Sequence, residues 1–161
     1  MAMLLWVLLF SAGVLFSEAQ ESFSNLPDIY KKGVELVINS HDSIQNHFLF
    51  LESIHHAEIE AGFDVTHIYH NFYLKATKCK SGTDNADTTA CEFRNDQVQE
   101  VVDCVICYKI SAGEIDEMPK PYFNCMLPQL LSKEIKRERE IGCFHAGFGH
   151  LTPTPLPSTQ S

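Results

Sequence analysis

The chain has 161 residues, with 21 acidic against 12 basic side chains and a formal net charge of −9. That balance argues against a general role in binding nucleic acid or heparin, both of which call for a basic surface. The length suits a single domain with a genuine core, and no internal repeat or second domain is visible.

Met3 to Phe16 is an uninterrupted apolar run, followed by small and polar residues through Ser17-Glu18-Ala19. The run is shorter than the roughly 20 residues a membrane span needs, and it reads as a signal peptide over residues 1–19 cleaved after Ala19. The usual basic residue before the apolar run is missing. Loss of Glu18 with the leader leaves 20 acidic and 12 basic residues, a net charge of −8 on a chain starting at Gln20. No later segment is apolar enough to span a membrane, and no permitted Asn-x-Ser/Thr glycosylation site occurs. The expected location is secreted and extracellular.

A helix is expected from Leu26 to Ser40, because Leu26, Ile29, Tyr30, Gly33, Val34, Val37 and Ile38 form one stripe. Asn25 suits its cap and Pro27 its first turn. Extended structure follows from His47 to Lys78, as two strands of roughly His47 to Ile59 and Phe63 to Thr77 that turn at Ala61-Gly62. Period two in the second strand places Ile68, Phe72, Leu74 and Ala76 on one face, with Tyr69, Tyr73 and Lys75 opposite. Lys80 to Ala90 is polar and reads as a surface loop; Gln97 to Ile110 reads as a strand, and Tyr122 to Leu131 as another. Ser132 to Ile141 is expected to be a short solvated helix, with Glu134, Glu138 and Glu140 interleaved among Lys133, Lys136, Arg137 and Arg139. Residues 144–161 are expected to be a flexible tail ending in Pro, Ser and Thr. The resulting fold class is α+β, one helix wrapped by an antiparallel sheet.

Six cysteines, at 79, 91, 104, 107, 125 and 143, read as three disulfides on an oxidising route. Cys104 and Cys107 lie within a β-branched run, where residues three apart point to opposite faces about 10 Å apart. That exceeds the ~7 Å limit for a disulfide. A redox pair and a zinc site are both disfavoured, and each cysteine must find its partner on its own side of the strand. Cys79 and Cys91 bracket the polar loop and pair with each other, which leaves Cys125 and Cys143 for Cys104 and Cys107.

The helix with Tyr30-Lys31-Lys32-Gly33-Val34, the strand Phe72 to Cys79, the segment Cys104-Val105-Ile106-Cys107-Tyr108-Lys109-Ile110, and Cys143 ahead of a tail together resemble the chemerin family. The resemblance covers Leu26 to Cys143. It implies a cystatin- and cathelicidin-like fold over residues 20–143, and a monomeric secreted precursor. It also implies an activating extracellular protease and, as target, a chemokine-like G-protein-coupled receptor engaged by the trimmed C-terminus. Of the arrangements left open above, the expected one joins Cys104 to Cys125 and Cys107 to Cys143, and the resemblance implies the same. Phe144, His145, Phe148, His150 and Leu151 would carry receptor contact. This acidic chain departs from the basic mammalian members, and its tail is shorter.

No basic residue follows Arg139, which itself precedes Cys143, so a trypsin-like cut would not release the tail and a chymotrypsin- or elastase-like cut near Phe148 to Leu151 is expected. Two alternatives fit the sequence less well. A cystatin-type protease inhibitor would need a Gln-x-Val-x-Gly hairpin and a Pro-Trp loop; Glu60 to Asp64 lacks the first, and Trp6 falls in the leader. A cathelicidin-like host-defence peptide would need cationic residues that the tail does not have. An enzyme is the weakest reading. His55, His56, His67 and His70, with Glu58 and Glu60, invite metal binding, but adjacent strand positions and positions three apart diverge, so they read as solvated or partly packed histidines. No cofactor, metal or catalytic residue is expected.

Overall fold

In the computed structural model, residues 23–41, 46–80, 91–94 and 100–147 are described. The expected leader and most of the expected tail lie outside them. A 3-10 turn at Phe23–Asn25 leads into helix α1 (Asp28–His41). The helix starts two residues later than its apolar stripe suggests, because Leu26 N–H turns back to the Phe23 carbonyl and the first helical acceptor is the Pro27 carbonyl, 3.1 Å from Lys31 N. Pro27 therefore takes the cap position in place of Asn25. Asp28 then sits in the first turn, where the helix dipole favours an anion.

Strands β1 (Phe48–Gly62), β2 (Val65–Ala76) and β3 (Val101–Ser111) form an antiparallel meander. The short β4 (Glu114–Ile115) and β5 (Tyr122–Met126) pair in succession along the remaining edge of β3. The β1–β2 turn falls at Phe63-Asp64, not Ala61-Gly62, since Gly62 already pairs with Val65. Phe63 and Asp64 have φ of 53° and 57°, the left-handed pair that a two-residue hairpin with type I′ geometry demands. Leu131 does not belong to β5: Pro128 opens a 3-10 turn to Leu130, and its missing N–H cannot extend a ladder.

The two faces of the sheet are covered differently. Leu26, Tyr30, Val34, Val37 and Ile38 from the α1 side pack with Phe48 and Phe50 of β1, Ile68, Phe72 and Leu74 of β2, and Cys104, Ile106, Tyr108 and Ile110 of β3. The opposite face receives a second helix, α2 (Lys133–His145), over Val105, Cys107, Cys143 and Ala146. Residues 102–108 of β3 are all buried because both faces are covered. The architecture of the described residues is thus α+β, with two α-helices, a five-stranded antiparallel sheet and three disulfides. The charged run at Ser132 to Ile141 extends through Cys143 to His145 and is not wholly solvated, because Arg139 and Cys143 are buried.

Gly33 lets α1 approach the sheet closely. A Cβ there would lie 2.5 Å from Tyr108 Cε1, and Tyr108 is buried and anchored through a hydrogen bond from its hydroxyl to the Ile29 carbonyl. A methyl group gains about 1 kcal/mol of helix propensity but forces the ring to move, at about 1–3 kcal/mol. Gly33→Ala is expected to lower stability by about 1 kcal/mol, measured as a fall in the urea midpoint; an unchanged or higher midpoint would remove Gly33 from this role.

His70 is packed more completely than the solvated or partly packed histidine expected from the sequence. It is fully buried, with its ring 5.0 Å from that of Tyr30 and 4.8 Å from that of Phe72. Nε2 lies 2.8 Å from Ser53 Oγ, while Nδ1 meets no hydrogen-bond partner. Burial, reinforced by His56, lowers its pKa from 6.5 to about 4. The folded state therefore binds this proton less well than the unfolded state. Stability is full above pH 6.5 and declines as pH falls toward 4, by about 3 kcal/mol in total. His70→Gln is expected to flatten that part of the urea-midpoint profile between pH 6.5 and 4; parallel wild-type and variant profiles would refute it.

Candidate functional site

The second helix is fixed to the sheet by two attachments one helical turn apart. Cys143 bonds Cys107, across a Cα separation of 5.2 Å. Arg139, four residues earlier, donates from Nη1 to Asp103 Oδ1 at 2.6 Å and from Nη2 to the Asp103 carbonyl at 2.9 Å. Its Nε donates to Asn124 Oδ1 of β5 at 2.9 Å. Asn71 of β2 completes the set, its Nδ2 donating to Asp103 Oδ1 at 2.9 Å and to the Cys104 carbonyl at 2.8 Å. Arg139 and Asp103 side chains are 8% and 7% exposed, so the pair holds only because it is densely hydrogen-bonded. Burial also raises the pKa values of neighbouring Tyr69 and Tyr122.

On the other face Cys104 bonds Cys125, its direct partner in the β3–β5 register. Cys79 bonds Cys91, and beside it Lys78 N–H reaches the Glu92 carbonyl and Thr77 pairs with Phe93. A ring of 36 residues closed by Cys107–Cys143 corresponds to about 4 kcal/mol in the loop-entropy account.

Phe144 and His145 do not open a tail. They form the last turn of α2, with Ala146 N–H reaching the Gly142 carbonyl and Gly147 N–H the Phe144 carbonyl. The helix continues past Cys143 because Ala146 is itself buried beside the disulfide. Phe148, His150 and Leu151 lie outside the described residues. The chain reaches Gly147 at φ +89°, where a Cβ would stand 3.3 Å from Pro119 Cγ and 3.4 Å from His67 Cε1. Glycine therefore suits this position twice, by backbone conformation and by close approach.

A groove of about 570 Å³ opens here, between the β1–β2 hairpin tip and the end of α2. Phe63, His67, Lys109, Pro119, Phe144 and Gly147 line it. Phe63 is fully exposed and Phe144 48% exposed. Lys109 Nζ is neutralised by Asp116 Oδ2 at 3.2 Å. The Ser111 hydroxyl, donating to the same oxygen, and Lys109 hold the Asp116 carboxyl below its usual range. The groove therefore offers aromatic and aliphatic surface with little uncompensated charge.

The histidine and glutamate candidates are split between faces. His67 and His70 point to opposite sides of β2 and both are buried, whereas His55, His56, Glu58 and Glu60 of β1 are exposed. The Tyr30 hydroxyl donates to Glu58 Oε1 at 2.6 Å and lies 3.4 Å from His56 Nδ1. Burial first, and then Glu58, push the Tyr30 phenol above its usual range. Ser53 beside His70 lacks the acid partner of a hydrolytic triad, since His70 Nδ1 is unbonded. Among the described residues no group of three or more His, Cys, Asp or Glu side chains is gathered to hold a metal.

Sequence reasoning missed Asp103, Arg139, Asn71, Asn124 and the groove. A signal existed: Asp103 and Cys107 share a strand face, and Arg139 and Cys143 a helix face, so one disulfide aligns the two charges.

Arg139→Met leaves Asp103 buried without its cation and is expected to cost about 3–5 kcal/mol, read from urea denaturation. Adding Asp103→Leu should recover most of that loss. A single-variant cost below about 1 kcal/mol would show that the pair does not hold α2.

No protein-family model matches the chain, and no curated protein does. The functional reading rests on its residues and their geometry.

Proposed function

We propose that this chain is a secreted, cystatin-like precursor whose trimmed C-terminus activates a chemokine-like G-protein-coupled receptor, the domain serving as a non-enzymatic carrier. The observation that carries this reading is the double attachment of α2, through Cys107–Cys143 and Arg139–Asp103, which makes Gly147 a fixed point of departure for the residues after it. The sequence resemblance to the chemerin family, and α1 lying against an antiparallel sheet, support it. Three disulfides, and the lack of any membrane-spanning helix among the described residues, are compatible with an extracellular location.

The geometry bears on the activating protease. Arg139, the last basic residue, is 7% exposed and engaged by Asp103, which disfavours trypsin-like attack. Chymotrypsin- or elastase-like cleavage at Phe148 to Leu151 remains the expected route.

A second reading, cysteine-protease inhibition, draws on the projecting β1–β2 tip with its exposed Phe63. Inhibition of papain by micromolar protein would favour it.

The first reading is tested by calcium mobilisation in cells carrying the receptor. Forms ending at Phe148 or Leu151 are expected to be at least about tenfold more potent than the full chain, ~1.4 kcal/mol in apparent affinity. Equal potency of trimmed and full-length forms, or silence from both, would overturn it.

A further inference from the structure

The groove at the end of α2 is a feature that the proposed function leaves unused. Two aromatic side chains flank it without being needed for the core: Phe63, fully exposed at the hairpin tip, and Phe144, about half exposed. Phe63 also holds φ 53°, a conformation that costs a bulky residue roughly 1–2 kcal/mol. The turn demands this φ of whatever residue stands there, but the exposed aromatic side chain contributes nothing to the core, and a contact made outside it accounts for its identity better.

The floor of the groove is where the described chain ends. Gly147 lines it, packed against His67 and Pro119, and the next residue in sequence is Phe148. At no more than about 3.6 Å per residue, the four residues Phe148 to Leu151 cover ~14 Å. Phe148 and Leu151 supply two apolar groups within that reach. No Asp, Glu, Lys or Arg occurs after Glu140, so this segment would enter an apolar groove without desolvating a charged side chain.

We propose that the groove is a docking site for the chain's own segment Phe148–Leu151, which it holds against the domain and thereby shields from the activating cut. This rests on the precursor reading above and gives it a mechanism of restraint. A short tether supplies an effective concentration on the order of millimolar. A contact as weak as about 0.2 mM in isolation would then be occupied about five to one.

The test uses the full secreted chain. Chymotrypsin cleavage at Phe148 and Leu151 is followed by mass spectrometry in wild type, Phe63→Ser and Phe144→Ser, with a free peptide of residues 147–157 as the unrestrained reference. Phe63 contributes no core packing, so Phe63→Ser should keep the wild-type melting temperature. Cleavage is expected to be about fivefold slower in wild type than in the peptide, and to approach the peptide rate in both variants. Hydrogen exchange of the wild-type Phe148–Leu151 amides should show the same protection. Peptide-like cleavage and exchange in wild type would overturn the proposal. So would wild-type protection that survives in both variants, or protection that disappears on dilution with dissociation of a dimer, which would assign the groove to a second copy. Receptor activation is scored separately: docking without any receptor response would sink the precursor reading alone, and a receptor response without docking would sink this inference alone.

Discussion

Residues three apart on a strand face opposite ways, and on β3 this sends Cys104 toward α1 and Cys107 toward α2. Most of the structure depends on that divergence. β3 pairs with β2 from Val101 to Ser111 on one edge and with β4 and β5 on the other, so it is the strand through which every part of the sheet is registered. One disulfide then ties β5 beside it on the α1 face, and the other ties a helix across the opposite face. Had the cysteines been two or four residues apart, both bonds would have fallen on one side and α2 would have lacked its covalent anchor.

The two faces use different physics. Under α1 the contact is almost wholly apolar, built on β-branched and aromatic residues, with Gly33 allowing the helix to close on Tyr108. Under α2 the central contact is a buried ion pair, stable because Asn71, Asn124 and backbone carbonyls satisfy both charges. Apolar packing tolerates small rotations of a helix, whereas a directional pair at Arg139 and a disulfide at Cys143 fix its rotation about its own axis. That fixes Gly147, the last described residue, at the groove.

His70 and Arg139 illustrate a common cause for the differences between sequence and structure. His70 shares the period-two face of Ile68 and Phe72, and Arg139 stands in a charged run; both are polar, and both are buried because a second element covers them: α1 with Tyr30 over His70, and the β3 face under Arg139. Local patterning reports which residues can face a core. It does not report which surfaces acquire a cover from residues distant in the chain.

The sequence by itself determined the helix at the start, the long β1–β2 hairpin, and the alternation that separates Cys104 from Cys107 and forbids a bond between them, because these depend on helical and strand periods and on the reach of a sulfur bridge. Tertiary structure alone decided the rest. It placed the hairpin tip at Phe63-Asp64, extended α2 to His145, joined Arg139 to Asp103 across 36 residues, and brought Phe63, His67, Pro119 and Gly147 around one groove. The physical reason is that such contacts are set by how two sheet faces are covered, and a cover from far along the chain has no period in the sequence to announce it.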